Sequence, residues 1–142
     1  MNPGPASFNR IAIVGLGLIG GSIGLAIRQF MPEARTTGYD ADPAVRARAA
    51  ELQLAGRICD SAAEAVSEAD LVILCVPVGA MGVAAQEIAA ALPGNAVVSD
   101  VGSSKQSIYE ALSAALPGNC VIPAHPVAGT EHSGPDAGFA TL

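Results

Sequence analysis

Tryptophan is absent from this 142-residue chain, and all aromatic residues together make up only 4% of it. Its core must therefore come from Ala, Val, Ile and Leu, which suits helices packed on a parallel sheet. Charge is also sparse at 14%, with 7 Lys and Arg against 13 Asp and Glu, a formal net charge of -6. No block of basic residues occurs, and no aromatics interleave with basic ones. This opposes nucleic-acid binding, where neutralising phosphates supplies most of the affinity. Cysteine is limited to Cys59, Cys75 and Cys120, an odd number with no CxxC spacing. Buried, reduced thiols are expected rather than a disulfide framework. No metal site is expected either, because His125 and His132 have no cysteine partner at ligand spacing. Hydrophobic residues, by contrast, make up 51% of the chain. That is enough to build a core and to oppose disorder, and the length suits one domain.

Residues 11–27 carry no charge, are flanked by Arg10 and Arg28, and contain Gly20 and Gly24 at a spacing known from membrane dimer helices. At 17 residues the stretch lies at the short limit of a span. Its glycines at 15, 17, 20, 21 and 24 are poor helix formers, and the first three fit a turn. A strand–turn–helix is expected here, with no membrane segment and a cytoplasmic protein.

Strand-like and helix-like runs alternate along the rest. Strands are expected over 10–14, 36–40, 57–59, 71–76, 96–100 and 120–124, and helices over 20–29, 43–54, 61–68, 82–92 and 105–116. Asp42 followed by Pro43 reads as an N-cap with proline at the first helical position, and Ser61 can cap the next helix. Leu-Pro-Gly-Asn occurs at 92–95 and again at 116–119, and each copy stops a helix. The rhythm predicts an α/β fold with a doubly wound parallel sheet over 10–142, behind a flexible arm of residues 1–9.

Five segments carry the candidate chemistry. Gly15-Leu16-Gly17-Leu18-Ile19-Gly20 follows a strand and opens a helix. Gly15 permits the tight turn, Gly17 lets a pyrophosphate approach the backbone, and Gly20 lets helix and strand pack closely. The N–H groups of Leu18, Ile19 and the rest of that first turn then face the phosphates. Asp40, ending the second strand, is placed to take both ribose hydroxyls or to serve as a turn residue before Asp42. Ala41 follows it, with no Arg to receive a 2′-phosphate, so NAD is favoured over NADP. Val76-Pro77 ends a strand where the sheet edge meets the cofactor, or simply terminates it. In Asp100-Val101-Gly102-Ser103-Ser104-Lys105, a serine either caps the following helix or bridges nicotinamide and a substrate hydroxyl. His125 leaves the last strand and suits a general base, since imidazole titrates near neutral pH. Glu131 is either an entrance residue or a surface carboxylate, and His132 has the weaker case for function.

These residues resemble the prephenate/arogenate (cyclohexadienyl) dehydrogenase family. The resemblance is carried by residues 15–22, 38–40, 75–77, 100–105 and 125–135, and the last two segments are the specific ones. It implies a Rossmann-type domain serving NAD-dependent oxidative decarboxylation in tyrosine biosynthesis. His125 would deprotonate the ring hydroxyl, and Ser103 would orient that hydroxyl and the nicotinamide. Gly129, Thr130 and Glu131 would border the substrate. It also implies a helical domain beyond residue 142 that makes a homodimer and supplies an arginine for the substrate carboxylate. The 142 residues alone are then expected to bind NAD and turn over prephenate negligibly. Two other readings are a non-catalytic NAD-binding module and a related hydroxyacid dehydrogenase.

Overall fold

The computed structural model describes residues 8–124 and 134–140. Six strands, β1 (Arg10–Val14), β2 (Arg35–Tyr39), β3 (Arg57–Ile58), β4 (Leu71–Leu74), β5 (Val97–Asp100) and β6 (Cys120–Ile122), form one sheet. Their order is β3-β2-β1-β4-β5-β6 and every pairing is parallel. The five helices between them are α1 (Leu18–Phe30), α2 (Pro43–Leu52), α3 (Ala62–Val66), α4 (Met81–Ala89) and α5 (Lys105–Ala115). This is the doubly wound α/β arrangement, and its order reverses between β1 and β4.

Strand β1 lies at the centre, and Ile11 to Val14 are all buried. An unbroken apolar run results because both of its faces are covered. Ala12 and Val14 join the core under α3, α4 and α5, with Val72, Val98, Ile88 and Leu112. Ile11 and Ile13 point the other way, into the core under α1 and α2, with Leu16, Ile27 and Leu54. Strand periodicity thus splits one short segment between two cores.

The caps read from sequence are present. Asp42 accepts from the Ala44 N–H at 2.9 Å with Pro43 opening α2, and Ser61 accepts from the Glu64 N–H at 3.1 Å. Four expectations are revised. Helix α1 starts at Leu18, inside the glycine motif, because Gly17 itself is the N-cap. Strand β4 ends at Leu74, and Pro77 leads into a 3₁₀ turn over Val78–Ala80. Cys120 is exposed and Cys75 half-buried, although Cys59 is buried; β6 is an edge strand, with only one neighbour among the described residues. Phe8 packs against the core beside α1, and the Asn9 N–H donates to Asp70 at 2.9 Å, so the chain is already held at these two residues. Among the described residues, no helix is long and apolar enough to cross a membrane.

Candidate dinucleotide and active-site edge

The carboxyl ends of β1, β2, β4 and β5 bring the candidate residues to one edge. The chain leaves β1 at Gly15, whose φ of +99° is a left-handed conformation that L side chains rarely adopt. Its N–H donates to the Tyr39 carbonyl at 2.7 Å. A Cβ there would lie 2.5 Å from the Cys75 carbonyl oxygen, and a Cβ at Gly20 would run into the Gly15 carbonyl. These two glycines therefore let the turn, α1 and β4 pack together. Gly17 differs: a Cβ added to it meets nothing within 4 Å. As N-cap it supplies no side-chain bond, so the first N–H groups of α1, from half-buried Leu18 and Ile19 onward, lack side-chain capping beside open space. Such an end favours an anion.

Asp40 follows β2 directly. Its Oδ2 accepts from the Leu16 N–H and its Oδ1 from the Asp42 N–H, both at 2.9 Å. It is therefore a turn residue, and it also fixes the glycine loop. A carboxylate has about four acceptor positions, so capacity remains for further hydroxyls. Sequence reasoning missed Arg46. From the first turns of α2 it reaches back to donate to the Asp40 carbonyl at 2.8 Å, and it lies over the Tyr39 ring at 5.6 Å from the centroid. The signal was available, because the Asp42 cap fixes α2 in a direction that returns this side chain to the strand end.

Across the switch point, half-buried Val76 and exposed Pro77 leave β4 beside the glycine turn, whose Gly15 abuts the Cys75 carbonyl. After β5, Ser103 and Ser104 are exposed. Ser104 is the N-cap of α5 but makes no side-chain cap bond. The capping reading therefore fails for Ser104, and the Ser103 hydroxyl has no partner among the described residues.

Asp100, which opens the 100–105 segment but received no role of its own from sequence, is fully buried at the end of β5. Its Oδ2 accepts from the Gly102 N–H at 2.8 Å and from the Lys105 ammonium. The same ammonium donates to the Ala124 carbonyl. Lys105 thus ties β5 to the exit of β6, immediately before His125. Desolvation, and secondarily the charge of Asp100, push the Cys75 thiol up to about 12. His125, Gly129, Thr130, Glu131 and His132 lie outside the described residues.

The chain is described again from Gly134, now against α1. Ser22 accepts from the Phe139 N–H at 3.0 Å and donates to the Leu18 carbonyl at 2.7 Å. Arg48 of α2 grips the Asp136 carboxylate, Nη2 at 2.7 Å and Nε at 2.9 Å. Hydrogen bonds from Arg48 hold the Asp136 carboxyl below its usual range. Both flanks of residues 125–133 are therefore bonded to elements of this edge.

The family described as "Prephenate dehydrogenase, nucleotide-binding domain" matches residues 23–142. A cyclohexadienyl dehydrogenase of Zymomonas mobilis is 47% identical over 135 residues, covering 95% of this chain and 46% of that protein. The Aquifex aeolicus prephenate dehydrogenase solved with hydroxyphenyl propionate and NAD+ superposes with a TM-score of 0.85 at 29% identity, over 95% of this chain and 47% of its own. A Synechocystis arogenate dehydrogenase gives 0.82 at 29% identity, over 91% and 45%. The chain thus spans slightly under half the length of these relatives. With a match that covers most of its residues, the strand order of a dinucleotide-binding sheet and an open, glycine-built helix N-terminus, the chain belongs to the family of prephenate dehydrogenase nucleotide-binding domains.

Proposed function

We propose that this chain is the NAD-binding part of a dehydrogenase that oxidatively decarboxylates prephenate or arogenate. One observation carries the reading. The glycine loop at the switch point and the Lys105 bridge to Ala124, the residue before His125, lie on the same edge of the sheet. Gly15, Gly17, Leu18, Ile19 and Gly20 would hold the pyrophosphate through backbone N–H groups. Asp40 would take the adenosine ribose, with Val76, Pro77 and Ser103 toward the nicotinamide. When bound, NAD supplies the hydride acceptor. His125 takes the proton of the ring hydroxyl, which Ser103 orients, while Gly129, Thr130 and Glu131 border the substrate. Loss of the ring carboxylate as carbon dioxide leaves an aromatic ring. NAD is preferred to NADP because the Asp40 carboxylate repels a 2′-phosphate. Arg46, the nearby cation, is engaged by main-chain carbonyls and the Tyr39 ring.

The test is NADH formation from prephenate and from arogenate, by a protein that joins this domain to a complete substrate domain. The 142 residues alone should bind NAD with negligible turnover. His125→Asn should keep cofactor affinity and lower turnover by about 10² to 10⁴, the usual worth of general-base help. Undiminished turnover in that variant would remove His125 from the chemistry, and no NADH from either substrate would overturn the reading. In calorimetric titrations NAD should bind more tightly than NADP, and Asp40→Ala, which leaves Arg46 in place, should narrow the gap. Equal affinities in the unmutated chain would sink the NAD assignment.

A further inference from the structure

The amino ends of the strands, opposite the dinucleotide edge, carry a second concentration of charge. A cavity of about 900 Å³ opens there, and Arg10, Arg28, Arg35, Arg57, Glu64 and Glu68 are its charged lining residues. It thus gathers four of the chain's 7 basic residues but only two of its 13 acidic ones. In a chain of net charge -6, this is a locally positive site.

Two of the four arginines are committed elsewhere. Arg57 pairs with Glu64, and Arg28 donates to the Gln53 carbonyl at 3.0 Å. Arg10 and Arg35 have no ion pair or side-chain hydrogen bond among the described residues. They are direct register partners on the parallel strands β1 and β2. Register partners share a face, and neighbouring strands lie about 5 Å apart. The alternation along β2 puts Arg35 on the side of Thr37, whose hydroxyl donates to the Ala65 carbonyl within α3 at 2.6 Å. The Asp70 carboxylate, close by, is taken by the backbone N–H groups of Asn9 at 2.9 Å and Arg10 at 3.1 Å. The main chain of the pair is also fixed, since the Arg35 N–H donates to the Asn9 carbonyl at 2.8 Å and the Asp70 N–H to the Arg10 carbonyl at 2.9 Å.

Like charges directly opposite on a sheet repel. A doubly anionic ligand would remove that repulsion and could use both guanidinium forks, which match phosphate and carboxylate geometry equally well. We propose that the Arg10–Arg35 pair, with the cavity beside it, is a second ligand site for a small molecule carrying two oxyanion groups. The site is separate from the dinucleotide edge, and it stands whether or not the dehydrogenase reading holds.

The experiment is a calorimetric titration of the 142-residue chain at 0.15 M salt with inorganic pyrophosphate and, separately, with citrate, each with and without saturating NAD. Pyrophosphate probes a phosphate ligand and citrate a carboxylate one. In saturating NAD, which fills the glycine loop and leaves only the second site to report, saturable binding of at least one probe is expected to persist. Arg10→Gln and Arg35→Gln should each weaken it about tenfold or more, as expected for losing a charge-assisted hydrogen bond, with NAD affinity unchanged. Because both side chains are exposed, both variants should melt as the parent does, and Arg35→Lys should bind between parent and Arg35→Gln. No saturable binding of either probe in saturating NAD, or equal binding there by the Gln variants, would each overturn the proposal.

Discussion

The carboxyl tip of β4 puts a thiol close to a buried carboxylate, and the three cysteines separate as a result. Cys75 is pushed up to about 12 by desolvation and by Asp100, and burial also raises Cys59. Cys120 is exposed on the edge strand. The thiolate is the reactive species, so at pH 8 a thiol reagent should modify Cys120 in the folded protein and reach Cys75 and Cys59 only after unfolding. Rapid modification of Cys75 in the native state would contradict this environment. Stability follows the same groups. Unfolded thiols ionise near 8.5 while the folded Cys75 keeps its proton. The native state therefore binds more protons between about pH 8.5 and 12, and stability falls as pH rises through that window. The apolar run around Cys75 was readable from sequence. The exposure of Cys120 was not, because periodicity does not reveal which strand ends a sheet. Likewise Asp40 was legible at the end of its strand, whereas Arg46 depends on the direction that the Asp42 cap gives α2.

Among the elements, the strand–helix alternation was legible because apolar runs are bounded by Pro and Gly. Ends were less so. Residues 71–76 read as strand, but β4 stops at Leu74, two residues short of Val76. Val76 continues the apolar run, but the backbone ahead of proline turns away, and Pro77 has no N–H to continue the ladder. Residues 120–124 read as strand for the same reason, but β6 ends at Ile122, before Pro123. The Asp100–Lys105 bridge was hidden because it spans the β5–α5 loop and is completed only by the Ala124 carbonyl, just past the end of β6. Lys105→Met leaves the fully buried Asp100 without its cation. The expected loss is about 2–4 kcal/mol, somewhat under the figure for a wholly buried pair because Lys105 is 32% exposed. Adding Asp100→Asn should recover part of it. Urea unfolding of the single and double variants measures both, and an unchanged midpoint in Lys105→Met would show that the bridge contributes nothing.

For the whole molecule, the sheet order places the glycine loop, Asp40 and the β4 and β5 exits on one edge, and the Arg10–Arg35 pair on the other. At the first edge, three glycines of one motif have different physical roles. Gly20→Ala drives a Cβ into the Gly15 carbonyl, so it should cost about 2–4 kcal/mol of stability through overpacking against the backbone. Gly17→Ala meets nothing within 4 Å, so it should leave stability within about 0.5 kcal/mol of the parent while blocking close approach of a pyrophosphate. In the parent, NAD at a hundred times its Kd should add about 2.7 kcal/mol to folding stability. The most direct measurement is a calorimetric NAD titration of the parent and of Gly17→Ala, with thermal melts of both. One NAD should bind per parent chain, with binding at least about tenfold weaker in Gly17→Ala and an unchanged melt. Absence of NAD binding by the parent, or equal affinity in the two proteins, would contradict a dinucleotide site at this loop.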